Sequence, residues 1–343
     1  MKKVLLAVFV LVMVGGLTAC SDQERIYVFN WGFFIYEPVL AMFEEEYGIR
    51  VIYDTYPTNE VMYARVVDGG GVFDVLVPSD YMIERMINEG LLAPINWDNI
   101  PNRRYIADRF WYWDHDPTNA YSVPYIWGTF GIVYNTNMID QVVDSWSILW
   151  DEQFANNIFM YDSARCSLGV AQHLLGFSLN TRNIDEMHQV RDKLLSQSHL
   201  VRAFLGDEVI HSMIGEEAAI AAVFNGCARW IMDSNPNHNF VNPYEGVQLF
   251  IDSMVIPANA QNQAGAEKFI NFMNRPDIAV LNALYIMYTT TNEGALALLP
   301  EDWQNCPIYW PPEDVIRRGE VFRDLGDFRA EYEHIWTQVL ANR

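Results

Sequence analysis

Ile26-Tyr27-Val28-Phe29-Asn30 is dense in β-branched and aromatic side chains, the composition of a strand half-buried in a sheet. After it, Ile35, Val39, Leu40 and Phe43 recur at helical spacing, and Gly48 supplies a stop after Glu44-Glu45-Glu46. Val51 to Tyr56 predicts a second strand, and Asn59 to Val67 a second helix with Asn59 as its cap. Asp74 to Val77 predicts a third strand, followed by a helix that Ser79 caps and Gly90 ends. The order β-α-β-α-β-α calls for a mostly parallel sheet, because helical crossovers connect parallel neighbours and cover both faces.

A second series follows. Tyr121 to Asn135 is apolar and β-prone, Ile158 to Met160 is a short strand, and residues 183–196 carry a helical stripe. Ala218 to Phe224 and Gln248 to Pro257 read as buried strands, and Ala264 to Met273 as a helix with Pro276 beyond its end. Neither a Pro- or Gly-rich linker nor an internal repeat divides the chain. An α/β chain of this length without a linker suits two domains built from discontinuous pieces.

The N-terminus reads as an export signal. Met1-Lys2-Lys3 is basic, Val4 to Ala19 is apolar, and Leu17-Thr18-Ala19-Cys20 fits a lipoprotein cleavage site. Residues 1–19 are therefore expected to be removed, Cys20 to carry lipid, and residues 20–25 to act as a tether. Removal of Lys2 and Lys3 leaves 20 basic against 44 acidic side chains, a formal charge of −24. Only Lys193 and Lys268 remain as lysines, so no basic stripe exists to bind nucleic acid. A cationic small ligand suits such a surface. Cys166, Cys227 and Cys306 form an odd set without framework spacing, so no disulfide-stapled fold is expected.

Catalytic and cofactor motifs are missing. The seven histidines have no metal-ligand spacing, and neither a phosphate-binding loop nor a nucleophile elbow is present. Gly69-Gly70-Gly71 follows a helix and reads as a turn. No cofactor or metal is expected, and no enzyme activity. Aromatic residues, by contrast, make up 14% of the chain. Trp31 and Phe34 lie just past the first strand, and Ser79 and Tyr81 just past the third, at the sheet edge where ligands bind. Trp31 could equally plug a core, and Ser79 could be only a helix cap. Asp252 lies inside the apolar run Leu249 to Met254, where a carboxylate must find a donor or a cation. Aromatic faces with one buried carboxylate are what an organic ammonium requires.

Several stretches carry a resemblance. They are Phe29-Asn30-Trp31, Thr58-Asn59-Glu60 with Met62-Tyr63-Ala64, and Phe73 to Ser79. Further on come Ser122 to Gly128, Asp252-Ser253 with Ile256 to Ala260, and Ile270-Asn271-Phe272 with Arg275-Pro276-Asp277. From about residue 26 onward the chain resembles the spermidine/putrescine-binding proteins that serve ABC-type polyamine importers. The resemblance implies an α/β, type II periplasmic-binding fold with two discontinuous lobes closing around a ligand cleft. Lobe one would comprise residues 26–128 and 252–296, and lobe two residues 129–251 and 297–343. Crossovers would fall near Trp127 to Thr129, near Phe250 to Asp252 and near residue 297.

Carried over by position, the family's ligand contacts match in type at Trp31, Ser79, Tyr81, Asp252 and Tyr288. Phe34 stands where tyrosine is usual, and Phe224 and Phe250 stand at tryptophan positions. Ser163 and Cys166 occupy positions of acids, and Phe322 replaces a glutamine. One terminal ammonium would then lack its usual partners, so that either another acid, Asp80 or Asp162, reaches in, or water solvates that end, or the preferred ligand differs. The implied protein is a monomeric, lipid-anchored, extracytoplasmic polyamine receptor with a membrane permease as partner, leaning towards putrescine. A different small cationic or neutral solute, or a ligand-sensing role beside a membrane signalling protein, are the alternatives.

Overall fold

The computed structural model describes residues 23–69 and 71–342; the expected leader and Cys20 lie outside them. The chain opens with β1 (Arg25–Trp31), α1 (Pro38–Tyr47), β2 (Arg50–Tyr56), α2 (Asn59–Val67), β3 (Val75–Leu76) and α3 (Asp80–Asn88). β1 pairs in parallel with β2 on one side and β3 on the other. Helix α1 starts later than its apolar spacing suggested, leaving Ile35 in the preceding turn. Pro38 sets that start: at the first helical position its missing N–H is not needed and its fixed φ suits the helix. Gly48 ends α1 at a left-handed φ of 69°.

The cap of α2 also differs from expectation. Thr58 fills it, its hydroxyl accepting from the Val61 N–H at 3.2 Å. Asn59 becomes the first helical residue, with its amide free for other partners.

The second series contains β4 (Ser122–Asn135), β5 (Ile158–Tyr161), α4 (Ala164–Leu175), α5 (Ile184–Gln197), β6 (Val201–Leu205) and α6 (Val209–Ile214). It continues through β7 (Ile220–Phe224), α7 (Asn225–Ser234), β8 (His238–Val241) and β9 (Val247–Val255). α8 (Gln263–Met273), α9 (Pro276–Ile286), β10 (Thr289–Thr290) and β11 (Gly319–Val321) follow. Pro276 opens α9, again at a first helical position.

The main path of the sheet runs β2-β1-β3-β9-β4-β7-β5-β6. Its two ends are parallel, and its centre is the long antiparallel pair β4–β9, from Ser122 opposite Val255 to Phe130 opposite Gln248. The register shifts between Pro124 and Ile126, as befits a proline that cannot donate to the ladder. β4 changes core along its own length. Val123, Tyr125, Ile126 and Trp127 pack with Ile26, Phe43 and Phe269. Phe130 and Ile132 pack instead with Trp146, Ile158, Leu168 and Ile220, joined by Tyr332 and Ile335 of the C-terminal helix. Leu299, Trp303 and Tyr309 pack on Ala283 of α9. Each fully buried large apolar side chain contributes roughly 1.5–3 kcal/mol, so these cores outweigh the surface ion pairs, worth about 0–1 kcal/mol each.

Candidate ligand-binding site

The parallel strands deliver their last residues to one edge of the sheet. Trp31 ends β1, its indole N–H donating to the Val77 carbonyl at 2.8 Å. Its ring lies 4.8 Å from Tyr56 and 6.4 Å from Phe34. The row of rings continues to Tyr288 at 5.4 Å, Phe250 at 5.9 Å and Phe224 at 5.2 Å. Five side chains singled out from the sequence are therefore brought together. Tyr161, which ends β5, extends the row 5.2 Å beyond Phe224 and was not anticipated. Tilted and edge-to-face contacts of this kind hold rings in place while leaving faces available. Trp31, Phe34, Phe224 and Tyr288 are only partly buried, so Trp31 plugs against Tyr56 on one side and lines the cleft on the other. Gly226 permits the approach of Tyr288: a Cβ there would lie 2.3 Å from the ring.

Asp252 stands two residues beyond Phe250 on β9 and so on the same face of the strand. It is 4% exposed, and its Oδ1 has no hydrogen-bond partner. Burial pushes its carboxyl up to about 7, and the Ser79 hydroxyl pulls the other way. Ser79 does occupy the N-cap position of α3, yet its side chain makes no capping bond, contrary to the expectation. The Met82 and Ile83 amides reach the Ser79 carbonyl instead. The Ser79 hydroxyl accepts from the Asn59 amide at 3.1 Å, and the second Asn59 hydrogen serves the Tyr81 hydroxyl at 3.1 Å. Tyr81 in turn donates to Glu60 at 2.9 Å. Asn59 thus positions both hydroxyls, a role made available by the cap at Thr58.

A second group gathers round Tyr81, whose ring packs edge-on to Phe322 at 6.4 Å. The Arg165 guanidinium lies 4.4 Å from the Phe322 ring centre and 5.5 Å from that of Tyr81. Ser163 caps α4, accepting from the Cys166 N–H at 3.4 Å. Cys166 is buried, and burial pushes its thiol up to about 12, so it is neutral at physiological pH. Tyr81 packs against both this group's core and the one beside Trp31, which joins the two groups. Of the acids considered as replacements, Asp80 is committed elsewhere. Its carboxylate accepts from the Tyr81 N–H at 2.7 Å and the Ile251 N–H at 3.2 Å, and it is fully buried. Asp162 is exposed. Cys166, Cys227 and Cys306 are all free thiols.

The raised carboxyls have a consequence for stability. An acid whose pKa is higher folded than unfolded favours folding while protonated, and that contribution is lost as pH rises through the folded value. Asp252, near 7, and Asp80, pushed by burial to about 8, both act in this direction. The opposing imidazoles, His115 and His173, are held at about 4 by burial and have largely finished exerting their effect by about pH 6.5. Ligand-free protein should therefore melt at lower temperature at pH 8.5 than at 6.5, and Asp252→Asn should reduce that fall. A melting temperature that rises across the interval would contradict the assignment of these two groups.

A family profile described as bacterial extracellular solute-binding protein matches residues 71–317. Another, described as hypothetical lipoprotein (MG045 family), matches residues 1–104. The chain is 35% identical over 332 residues to a spermidine/putrescine-binding periplasmic protein of Salmonella typhimurium, covering 96% of this chain and 95% of that one. Its counterpart in Escherichia coli is 33% identical over the same shares. The structure of a putative spermidine/putrescine ABC transporter from Listeria monocytogenes superposes with a TM-score of 0.90 at 38% identity, covering 94% of this chain and all of that one. The TpPotD lipoprotein of Treponema pallidum superposes with a TM-score of 0.84 at 26% identity, over 92% and 99% of the two chains. The fold is thus the α/β periplasmic-binding fold that the resemblance implied. On these grounds the chain belongs to the spermidine/putrescine-binding protein family, whose members are extracytoplasmic solute-binding components of ABC transporters and not enzymes.

Proposed function

We propose that this chain captures a polyamine, putrescine in preference to spermidine, outside the cytoplasmic membrane and passes it to an ABC-type permease. The observation that carries the reading is the unpartnered, buried Oδ1 of Asp252 beside the ring row of Trp31, Phe34, Tyr288, Phe250 and Phe224. An alkyl ammonium satisfies that oxygen, and its methylenes cover the ring faces. Ser79, Tyr81 and Tyr288 supply hydroxyls at the ends. Neutral Ser163 and Cys166 and apolar Phe322 offer no charge to a third ammonium, which favours the diamine. The relatives named as spermidine/putrescine-binding agree with the substrate class.

The cleft lies between lobe one, residues 26–128 and 252–296, and lobe two, residues 129–251 and the C-terminal part of the chain; Leu299, Trp303 and Tyr309 pack on Ala283 of lobe one, so the return to lobe two follows Tyr309 and does not fall at residue 297. Arg323 would tie them when closed, since it bridges Glu84 at 2.6 Å and Asp114 at 2.7 Å. Lipid on Cys20 would hold the monomer at the membrane surface, in keeping with the lipoprotein profile over residues 1–104 and the Treponema pallidum lipoprotein. The test is calorimetric titration of the leaderless protein with putrescine and then spermidine, after unfolding and refolding to strip bound ligand. Sub-micromolar binding is expected, tighter for putrescine. Silence with both would mean that another solute fills the cleft.

A further inference from the structure

The carboxylates that the family pattern places at Ser163 and Cys166 are gone, and neither Asp80 nor Asp162 replaces them. The strand ends show a different source. β7, β5 and β6 are parallel neighbours, so Phe224, Tyr161 and the turn after Leu205 emerge at the same edge of the sheet. That turn carries Asp207, whose Oδ1 accepts from the Tyr161 hydroxyl at 3.0 Å. The same oxygen lies 4.0 Å from Cys227 Sγ, which is 3.4 Å from the Tyr288 hydroxyl. Asp207 is thus attached to the ring row through both Tyr161 and Tyr288. Among the described residues no arginine or lysine forms an ion pair with Asp207, and its side chain is exposed.

We propose that Asp207 is the second ammonium-binding carboxylate of this cleft, holding one end of a diamine whose other end is held by Asp252. The acid enters from the turn after β6 and not from the first turn of α4. This assignment rests on the polyamine reading above and specifies how that reading is met here. One buried carboxylate, Asp252, and one solvent-exposed carboxylate, Asp207, at opposite ends of an aromatic row form a site for an α,ω-diamine, with Ser79 and Tyr288 as neutral donors and acceptors along it.

The experiment is calorimetry on the whole mature chain with two probes of equal length, putrescine and 4-amino-1-butanol, in which a hydroxyl replaces one ammonium. The unsubstituted protein should prefer putrescine. Asp207→Asn should lower putrescine affinity by about tenfold or more, the range for a charged hydrogen bond, and leave 4-amino-1-butanol within about twofold. Equal losses for both probes, or no loss for putrescine, would overturn the assignment, the first by showing Asp207 to be structural. If the unsubstituted protein binds neither probe, the polyamine reading itself fails and this one with it. If it binds putrescine well and Asp207→Asn does too, the receptor stands and Asp207 alone is excluded.

Discussion

Replacing Asp252 by asparagine should weaken putrescine binding by an order of magnitude or more while leaving the ligand-free fold as stable or more so. The two effects have one cause. Oδ1 of Asp252 is buried without a hydrogen-bond partner from the protein, and burial raises the carboxyl to about 7. An unpaired buried charge is costly, so the amide, of equal volume and without charge, lowers that cost whenever no ammonium is bound. The bound protein loses a charge-assisted hydrogen bond, worth roughly 1.5–3 kcal/mol, or about ten- to hundredfold in affinity. Titrations at several pH values provide a second readout. Affinity of the unsubstituted protein should fall as pH drops below about 7, because the protonated carboxyl cannot pair with an ammonium. The asparagine variant should show a weaker dependence. Unchanged affinity in Asp252→Asn would remove the carboxylate from the mechanism.

The second large effect lies behind the site. Trp146→Ala should cost about 3–5 kcal/mol of folding stability, the range for truncating a large buried aromatic. Trp146 is fully buried, its indole N–H donates to the Gly246 carbonyl at 2.9 Å, and its ring stacks on Phe130 at 6.1 Å. Phe130 then supports Phe224 at 5.0 Å and Tyr161 at 5.8 Å. The cavity therefore opens under two walls of the cleft, and ligand affinity should fall along with stability. Denaturant unfolding of the ligand-free protein checks the first part: the midpoint should drop with little change in slope. A loss under about 1 kcal/mol would show that Trp146 does not anchor this core.

The candidate site was legible in part. Trp31, Phe34, Phe224, Phe250 and Tyr288 do form one row, and Asp252 is the buried carboxylate that its apolar neighbours implied. The sequence alone points to Ser79 as a helix cap, because serine before a helical run commonly is one. Its hydroxyl makes no capping bond; Asn59, twenty residues earlier, donates to it instead. The sequence points to Asn59 as a cap too, whereas Thr58 takes that position by accepting from the Val61 N–H. Tyr161 and Asp207 bore no signal at all: one aromatic among many, and one acid among 44.

What the sequence determined by itself follows from short-range regularities. Alternating and helical periods between residues 26 and 90 dictated parallel strands with crossover helices, and an aspartate amid Leu249 to Met254 dictated a charge in need of a partner. Such patterns survive in one dimension because each is set by neighbours a few residues away. What only the tertiary structure decided is which distant groups meet. Asp80 is spent on the Ile251 amide, 171 positions away, and so cannot serve a ligand. Asp207 meets Tyr161 because β5 and β6 lie side by side in parallel register. Strand order sets those encounters, and strand order is a property of the whole packed sheet.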